Sequence, residues 1–258
     1  MKKCTLLLLL LLLCTACFWG KSKKRDYAVF RSNSIEGINL QGKESSIQGF
    51  TDDLLFEIAR AKGIRIKITT LDHGKTGDLL DMTGAEGVVG VVDATLQNRK
   101  QYKISDPFFT FGPVVVMRMR DNYKNPASLK DKVVGFDRAY AGLVQNRDDL
   151  SFILKPYDQM TYAMEDLVNG KIDAVILDSI RAYLLVGSFY ANKLKVASAP
   201  LIVTDFCLIV KDGTHDELVS IFNEGLRQLK AQGTYQKMLD YWGLVDPLYN
   251  SERGVLSK

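Results

Sequence analysis

The sequence is poor in the residues on which most hydrolytic and metal sites depend. Its 258 residues include only two histidines, His73 and His215, and four cysteines. It contains no Gly-x-Ser-x-Gly and no His-Glu-x-x-His motif, and the chain after residue 17 has no Cys-x-x-Cys pair. Both histidines lie in turn-like polar stretches, where exposed loop residues are common. The sequence therefore gives no support to a hydrolase or a metal site, and no cofactor is expected.

Long apolar runs are also absent, with one exception near the start. Lys2 and Lys3 precede an unbroken run of leucines over residues 6–13. This run is far shorter than the roughly 20 residues of a membrane-spanning helix. A basic start, a short apolar run and small residues after it are typical of a secretory signal peptide, here residues 1–16. An uncleaved N-terminal anchor is the alternative.

The residues at the end of this segment predict a lipid anchor. Thr15-Ala16-Cys17 resembles the end of a bacterial lipobox, although Cys14 stands where that motif usually has leucine. Cys17 is expected to be acylated and to hold the protein at a bacterial membrane that the chain does not cross. Residues 17–25 would then form a basic tether, either a solvated linker or a contact with anionic headgroups. The predicted location is the periplasm.

Processing at Cys17 changes the charge and the thiol content. Removing Lys2 and Lys3, with no acidic residue, lowers the formal net charge from +4 to +2. Such a balance gives no electrostatic case for nucleic acid as a partner. Cys17 and Cys207 are the cysteines that remain, so no internal disulfide is expected. Cys207 follows Phe206 and precedes an apolar run, which predicts a buried strand residue, and a monomer is expected.

From about residue 26 onward, strand and helix patterns alternate, as in α/β proteins. One helix is predicted to begin at Thr51, with two aspartates in its first turn, and to end before Gly63. Its apolar stripe is predicted to contain Leu54, Ile58 and Ala61. The alternating residues 64–68 predict a half-buried strand.

Two later segments repeat one pattern. Residues 79–84 and 164–170 each predict a helix that ends at glycine, and an apolar strand and an aspartate follow, Asp93 and Asp178 respectively. Two copies suggest two lobes, each with its own sheet. Ligands of open α/β sheets bind beyond the carboxyl ends of the strands, so one cleft would receive both carboxylates. Alternatively, each aspartate only caps the segment that follows it.

The predicted lobes are discontinuous in sequence. Residues 114–117 are predicted as the first crossing between them, and residues 201–210 as the return. Lobe 1 would comprise residues 26–115 and 204–258, and lobe 2 residues 116–203.

Five segments in this order resemble the family 3 periplasmic solute-binding proteins, the polar amino-acid binding components of ABC importers. The resemblance covers about residues 26–244. The segments are Gly49-Phe50-Thr51-Asp52-Asp53-Leu54, Ser105-Asp106-Pro107-Phe108-Phe109, Ser128 to Gly135, Gly170 to Asp178, and Leu229 to Tyr235 with Tyr241-Trp242-Gly243. The family resemblance implies a two-lobed α/β fold of the type II, or Venus-flytrap, kind with a hinge of two crossing strands.

The resemblance also implies a function and several ligand contacts. The chain would be the substrate-binding lipoprotein of an ABC importer, with a permease as its partner and a small polar solute as its ligand. Asp178 matches the family's aspartate for the α-amino group, which fits a carboxylate that binds an ammonium by charge-assisted hydrogen bonds. Asp93 matches a position that is commonly Ser or Thr. Asn33 lies where the first loop often places a polar contact.

The chain departs from the family at the groups that bind the ligand carboxylate. Asn98 stands where the family has its carboxylate-binding arginine, and Arg99 is one residue later. The family's Gly-Thr-Thr loop is replaced by residues 136–142. We therefore expect Arg138 or Arg99 to supply a relocated carboxylate clamp and Tyr140 to supply a ring against the ligand. Alternatively, both arginines are surface residues and Tyr140 packs on its own lobe.

The added acidic residue has a consequence for the ligand. Asp93 would make the pocket more acidic, which favours a cationic or amine-rich ligand. Two other functions stay open: a surface interaction or sensing protein built on the same fold, and an enzyme similar to cyclohexadienyl dehydratases, with Asp93 or Glu36 as acid or base. A pure binding protein without enzymatic activity is the prediction.

Overall fold

Strands and helices alternate along the chain in the computed structural model, which describes residues 25–32, 44–71, 76–92, 100–122, 126–142 and 152–252. The described strands are β1 (Asp26–Ser32), β2 (Arg65–Leu71), β3 (Gly87–Val92), β4 (Tyr102–Ile104), β5 (Phe109–Phe111), β6 (Pro113–Arg118), β7 (Val133–Asp137), β8 (Ile153–Tyr157), β9 (Ala174–Asp178), β10 (Leu194–Val196) and β11 (Thr204–Lys211). The described helices are α1 (Glu44–Lys62), α2 (Thr76–Thr83), α3 (Met160–Val168), α4 (Ser179–Phe189), α5 (Asp216–Ala231), α6 (Thr234–Trp242) and α7 (Pro247–Glu252). Short 3₁₀ turns cover Pro126–Leu129 and Arg138–Tyr140.

The strands form two separate sheets. The first has six strands in the order β2-β1-β3-β11-β4, and β5 also pairs with β11. β1 is parallel to β2 and β3, and the helices α1 and α2 make the crossovers that parallel neighbours require. β11 runs antiparallel to β3, β4 and β5. Since β11 is antiparallel to β3, its first residues lie at the carboxyl edge of β3.

The second sheet has five strands in the order β10-β6-β9-β7-β8. β7 is parallel to β8 and β9, whereas β6 is antiparallel to β9 and β10. The carboxyl ends of β7 and β9 therefore lie side by side at one edge of this sheet. This edge carries the charged residues described below.

Two short connections join the sheets. Phe111 ends β5 in the first sheet, and after Gly112 the chain enters β6 at Pro113 in the second sheet. The chain returns to the first sheet at Thr204. The two connections touch, because Leu201 N donates to Pro113 O at 2.7 Å. The sheet change therefore lies three residues before residue 116, where the second lobe was expected to begin.

Each sheet has its own apolar core. The core of the first sheet lies mainly between its strands and helices α1, α5 and α6, and it includes edge-to-face contacts between Phe50 and the rings of Phe109 and Tyr235. The core of the second sheet lies on both of its faces. Strand β9 is buried along its whole length, and the apolar residues that precede Asp178 predict this burial.

The repeated helix, glycine and strand pattern is confirmed in both lobes. In the first, α2 ends at Thr83 before Gly84 and β3 follows; in the second, α3 ends at Val168 before Gly170 and β9 follows. Both glycines have a positive φ, of 62° and 74°, which L side chains rarely adopt. Cys207 is buried on β11, as predicted, and burial raises the pKa of its thiol.

The predicted start of the first helix is wrong. Helix α1 begins at Glu44, seven residues before Thr51, and the Thr51 hydroxyl donates to Ile47 O at 2.8 Å inside the helix. A threonine can bond the carbonyl four residues earlier as readily as it can cap, so its presence does not fix a helix start. The predicted end before Gly63 is confirmed. Leu54 and Ile58 are buried, but Ala61 is exposed.

Among the described helices, none has the length and apolarity to cross a membrane.

Candidate ligand-binding site

The candidate site lies at the carboxyl edge of the second sheet, where β7 and β9 end. Phe136 pairs with Ile176 in register, so Asp137 and Asp178, the last residues of the two strands, are close neighbours. Beyond β7 the chain forms the 3₁₀ turn Arg138–Tyr140, and beyond β9 it enters α4 directly. Two carboxylates, a helix N-terminus and a tyrosine therefore meet at this edge.

Asp178 is fully buried and bonded on both carboxylate oxygens. It is the N-cap of α4, and Oδ1 accepts a hydrogen bond from the Arg181 backbone N–H at 2.8 Å. Nε of the Arg181 side chain donates to Oδ2. Burial raises the pKa of the Asp178 carboxyl group, and the positive charge of Arg181 opposes that rise. The capping role that the sequence left open is thus present.

Arg181 joins the two strand ends. It lies in the first turn of α4, and its side chain folds back so that Nη2 donates to Asp137 Oδ2. The side chain is 5% exposed, against 16% for Asp137 and 0% for Asp178. The result is a buried Asp137–Arg181–Asp178 network, which we call the charged cluster. Its formal charge is −1, from two carboxylates and one guanidinium.

Tyr140 lies beside the charged cluster. Its residue is 8% exposed, and within the described parts of the chain its hydroxyl oxygen is buried without a hydrogen-bond partner. Burial raises the pKa of this phenol; Asp178 and Asp137 add to the rise, and Arg181 opposes it. The phenol is therefore neutral, and its hydroxyl can both donate and accept a hydrogen bond.

The charged cluster is tied to the connection between the sheets. Ser179, the first residue of α4, donates its backbone N–H to Gly112 O at 2.8 Å, and its hydroxyl oxygen lies 3.4 Å from Gly112 N. Pro113 pairs in register with Asp178. A change in the geometry of the crossing would therefore move the N-terminus of α4 and the residues attached to it.

A further acidic residue lies in the first sheet, at the carboxyl edge of β3. Asp205 is the second residue of β11 and pairs with Val92 at the end of β3. It is half-buried, and its Oδ1 has no hydrogen-bond partner in the described part of the chain. Burial raises the pKa of this carboxyl group, and the nearby Asp246 raises it further.

The structure describes three of the predicted site residues. Asp178 and Tyr140 come together at the charged cluster. Arg138 instead extends outward: its side chain is 64% exposed and pairs with the exposed Asp158 at 2.8 Å. Asn33, Asp93, Asn98 and Arg99 lie outside the described residues, as does Cys17.

Sequence reasoning missed Arg181, Asp137 and Asp205. For Arg181 a signal was available, because an arginine three residues after a capping aspartate lies in the same helical turn. Asp137 follows an apolar run in the same way as Asp178, so its position at a strand end was also readable. Asp205 had no comparable signal, because its proximity to Val92 depends on the pairing of strands more than 100 residues apart in sequence.

Two other features do not add to this site. A shallow surface pocket lined by Arg118, Met119, Arg120 and Lys193, among others, lies at the far end of β6. Arg118 is five residues from Pro113 along that strand, about 17 Å from the level of Asp178 at 3.3 Å per residue. Within the described ranges, no group of three or more His, Cys, Asp or Glu side chains is arranged to hold a metal ion.

Known proteins resemble this chain in sequence and in architecture. The ABC transporter arginine-binding protein 1 of Escherichia coli K12 is 25% identical over 204 residues, which are 78% of this chain and 84% of that protein. The probable amino-acid-binding protein YxeM of Bacillus subtilis 168 is 25% identical over 252 residues, 92% of this chain and 94% of that protein. The unliganded open form of the L-cystine solute receptor of Neisseria gonorrhoeae superposes with a TM-score of 0.68 at 20% identity, covering 87% of this chain and 95% of that one.

The fold is therefore the two-lobed type II periplasmic binding fold that the sequence predicted. Residues 32–245, most of the chain, match one family along their whole length. The chain belongs to the bacterial extracellular solute-binding proteins, family 3.

Proposed function

We propose that the chain is the solute-binding component of a bacterial ABC importer and that it captures an amino acid or a related amine between its two lobes. The charged cluster carries this proposal, because it places buried, hydrogen-bonding polar groups at the carboxyl edge of a sheet and beside the connection to the other lobe. Ligands of open α/β sheets bind at such edges. The names of the arginine-binding and amino-acid-binding relatives support the same solute class.

The mechanism that we propose is capture by lobe closure. Residues 26–112 with 204–258 form one lobe and residues 113–203 the other, and the two crossing segments act as the hinge. The open form admits the solute, and contacts from both lobes stabilise the closed form. The closed complex then docks on a membrane permease.

The contacts that the family resemblance predicts come from both lobes. Asp178, Tyr140 and Arg138 belong to the second lobe, and Asn33, Asp93, Asn98 and Arg99 to the first. The exposed Arg138 would reach the cleft only if its ion pair with Asp158 opens, which costs little because exposed pairs contribute about 0–1 kcal/mol. Enzymatic activity is not part of the proposal.

A panel of amino acids, polyamines and short peptides tests binding by thermal unfolding. A ligand present at about 100 times its dissociation constant adds about 2.7 kcal/mol of stability, which raises the melting midpoint by several degrees. We expect a rise with at least one amino acid or amine. No rise with any compound would contradict solute capture and would favour the interaction or sensing function.

The proposed location needs its own experiment. We propose that Cys17 is acylated after removal of residues 1–16 and that the protein is a lipid-anchored periplasmic monomer. Replacement of Cys17 by Ser should move the protein from the membrane fraction to the soluble fraction of the producing cells. A wild-type protein that is already fully soluble would contradict the lipid anchor.

One observation favours a second candidate, a surface interaction or sensing protein. Both oxygens of Asp178, the residue that the family resemblance assigns to the ligand's amino group, are bonded to Arg181. In this arrangement Asp178 is paired with Arg181 instead of a ligand amino group, which weakens the case for an amino acid as the ligand. Tight binding to a protein partner, with no small solute bound, would support this candidate, and an assay for prephenate or arogenate turnover separates both from an enzyme.

A further inference from the structure

The charged cluster has a consequence for how a ligand is recognised. An ammonium group that approaches Asp178 finds each carboxylate oxygen already accepting a hydrogen bond from Arg181 and the side chain fully buried. To reach this carboxylate, it would have to disturb the buried ion pair between Asp178 and Arg181. Removing one partner of such a pair is strongly destabilising, because it leaves a buried charge without compensation.

Arg181 itself retains donors. A guanidinium group has five N–H donors. In the described part of the chain, Nε donates to Asp178 and Nη2 donates to Asp137, whereas Nη1 makes no hydrogen bond. The Tyr140 hydroxyl oxygen at the same edge is buried and has no hydrogen-bond partner among the described residues. Two groups that can donate hydrogen bonds are therefore available where the family resemblance predicts a carboxylate acceptor.

The aspartates fix the orientation of this arginine. Asp178 bonds Nε and Asp137 bonds Nη2, so the plane of the guanidinium group is set from two sides. The N-terminus of α4 adds about half a positive charge to the same corner, which offsets part of the formal charge of −1. A guanidinium group held in this way is preorganised for a planar acceptor, and a carboxylate is the acceptor that it fits best.

We propose that Arg181 is the specificity-determining residue of the second lobe, that it binds a carboxylate of the ligand together with the Tyr140 hydroxyl, and that Asp178 and Asp137 are positioning residues. This inference rests on the proposed solute-binding function. It assigns the carboxylate clamp to a residue other than Arg138 or Arg99. It also means that the second lobe does not require an α-ammonium group on the ligand.

The test compares three forms of each candidate ligand. For each of the common L-amino acids and for cystine, the purified protein is titrated with the amino acid, with its decarboxylated amine and with its 2-hydroxy acid. We expect at least one amino acid and its hydroxy acid to bind within about tenfold of each other. The decarboxylated amine should bind about tenfold to hundredfold more weakly, the usual effect of losing a hydrogen bond to a charged group.

Variants identify the residue responsible. R181M should lose about tenfold to hundredfold in affinity for the amino acid and should gain affinity for its decarboxylated amine, because Asp178 is then free to bind an ammonium. A purely structural role of Arg181 would not produce this gain. D178N alone should weaken binding by less than about tenfold, since Arg181 is still held by Asp137.

Further variants guard against a failure to fold. R181M/D178N removes both buried charges and keeps a good N-cap, because asparagine caps helices about as well as aspartate. It should keep the weak binding of the amino acid without the gain for the amine. R60M removes an exposed arginine of α1, which is paired with Glu57, and should bind as the wild type does. Melting curves show which variants are folded.

The outcomes separate the inference from the function on which it rests. Wild-type protein that binds an amino acid but rejects its hydroxy acid, with affinity unchanged in R181M and R181M/D178N, would overturn the assignment of Arg181 and leave solute binding intact. Wild-type protein that binds no compound of the set would overturn both.

Discussion

Gly112 and Ile202 meet where the two connections pass between the sheets. A methyl group added to Gly112 would lie 2.0 Å from the carbonyl oxygen of Ile202, far inside the normal contact distance. The neighbouring hydrogen bond from Leu201 N to Pro113 O holds the same two segments together. Only glycine therefore fits at residue 112 with the connections in this arrangement.

Replacing Gly112 by Ala should destabilise the protein. The clash involves backbone rather than a flexible side-chain end, so the two connections must separate. We expect the free energy of unfolding in urea to fall by about 1–3 kcal/mol, the usual effect of inserting an extra methyl group into a well-packed region. Because Gly112 also bonds Ser179 at the start of α4, the binding of solutes should change as well.

Gly187 provides the matched control for this substitution. It lies inside α4, with no atom within 4 Å of an added methyl group. G187A should therefore stabilise the protein by about 0.5–1 kcal/mol, because alanine loses less conformational freedom in a helix than glycine. If G112A were as stable as G187A, the contact between the two connections would not be a constraint.

A second close approach joins two segments of the family pattern. A methyl group on Gly49 of α1 would lie 2.1 Å from Cη2 of Trp242 at the end of α6. The indole ring cannot easily move away, because its Nε1 donates to Asp53 Oδ2 at 2.8 Å. G49A should lower the free energy of unfolding by about 1–3 kcal/mol.

A double-mutant cycle tests the cause of that loss. In a W242L background the large ring is absent, so G49A should cost much less and could even stabilise α1, since alanine is the better helix former. The coupling energy between the two positions should be about 0.5–3 kcal/mol, as for residues in direct contact. Additive effects would show that Gly49 is required for a reason other than Trp242.

The sequence predicted the elements of the fold better than their ends. The two copies of helix, glycine and buried strand could be predicted because each part has a local sequence signal. A glycine marks the end of the helix, and a run of apolar residues marks the buried strand. The start of α1 could not be predicted, because Thr51 followed by two aspartates resembles a helix N-cap although Thr51 lies in the helix interior. Leu55 and Ala59 are buried, and Ala61 is not, because α1 packs against both its sheet and the C-terminal helices.

The candidate site could be predicted only in part, because the sequence indicates where a residue lies on a strand or helix but not where a long side chain extends. Asp178 was placed correctly at the end of a strand, since strand ends follow from the pattern of apolar residues. The hydrogen bond between Asp178 and the Arg181 side chain could not be predicted, because it depends on how this long side chain folds back toward Asp137. Arg138, two residues before Tyr140, extends to Asp158 instead, and spacing alone does not distinguish the two directions.

Asp246 should contribute strongly to stability, because its hydrogen bonds hold the C-terminal segment to the rest of the first lobe. It is buried, and its carboxylate accepts hydrogen bonds from the hydroxyls of Thr110, at 2.6 Å, and Tyr235, at 2.7 Å. The backbone N–H groups of Leu248 and Tyr249 also donate to it, each at 3.2 Å. Since each orphaned buried group costs about 1–3 kcal/mol, D246A should lose about 3 kcal/mol or more.

Milder variants rank the contributions at Asp246. Y235F removes one hydroxyl, which also bonds Phe108 O, and should lose about 1 kcal/mol. D246N keeps the shape but replaces one accepting oxygen by a donor, so its loss should lie between those of Y235F and D246A. Equal urea midpoints for all three variants would contradict a carboxylate that holds β5, α6 and α7 together.

Asp205 should make the folded protein less stable as pH rises, whereas most acidic residues make it more stable as pH rises. Burial raises the pKa of its carboxyl group above the ordinary value of 3.8 that it regains on unfolding. Between these two pKa values the folded protein binds more protons than the unfolded protein, so stability falls as pH rises through this window. D205N, which resembles the protonated form, should therefore melt at a higher temperature than the wild type at pH 7. The difference should vanish below pH 3.8.

Asp166 provides the contrast that makes the Asp205 measurement decisive. Hydrogen bonds from Tyr157, Lys171 and Lys155 lower the pKa of its carboxyl group below the ordinary value of 3.8. Its contribution is present above that value and is lost as pH falls through the folded pKa, so D166N should melt at a lower temperature than the wild type at pH 7. The melting differences of D205N and D166N should thus have opposite signs at pH 7, and both should shrink in acid. A D205N protein less stable than the wild type at pH 7 would show that Asp205 is a satisfied structural carboxylate, because only an unpaired buried charge is relieved by neutralisation.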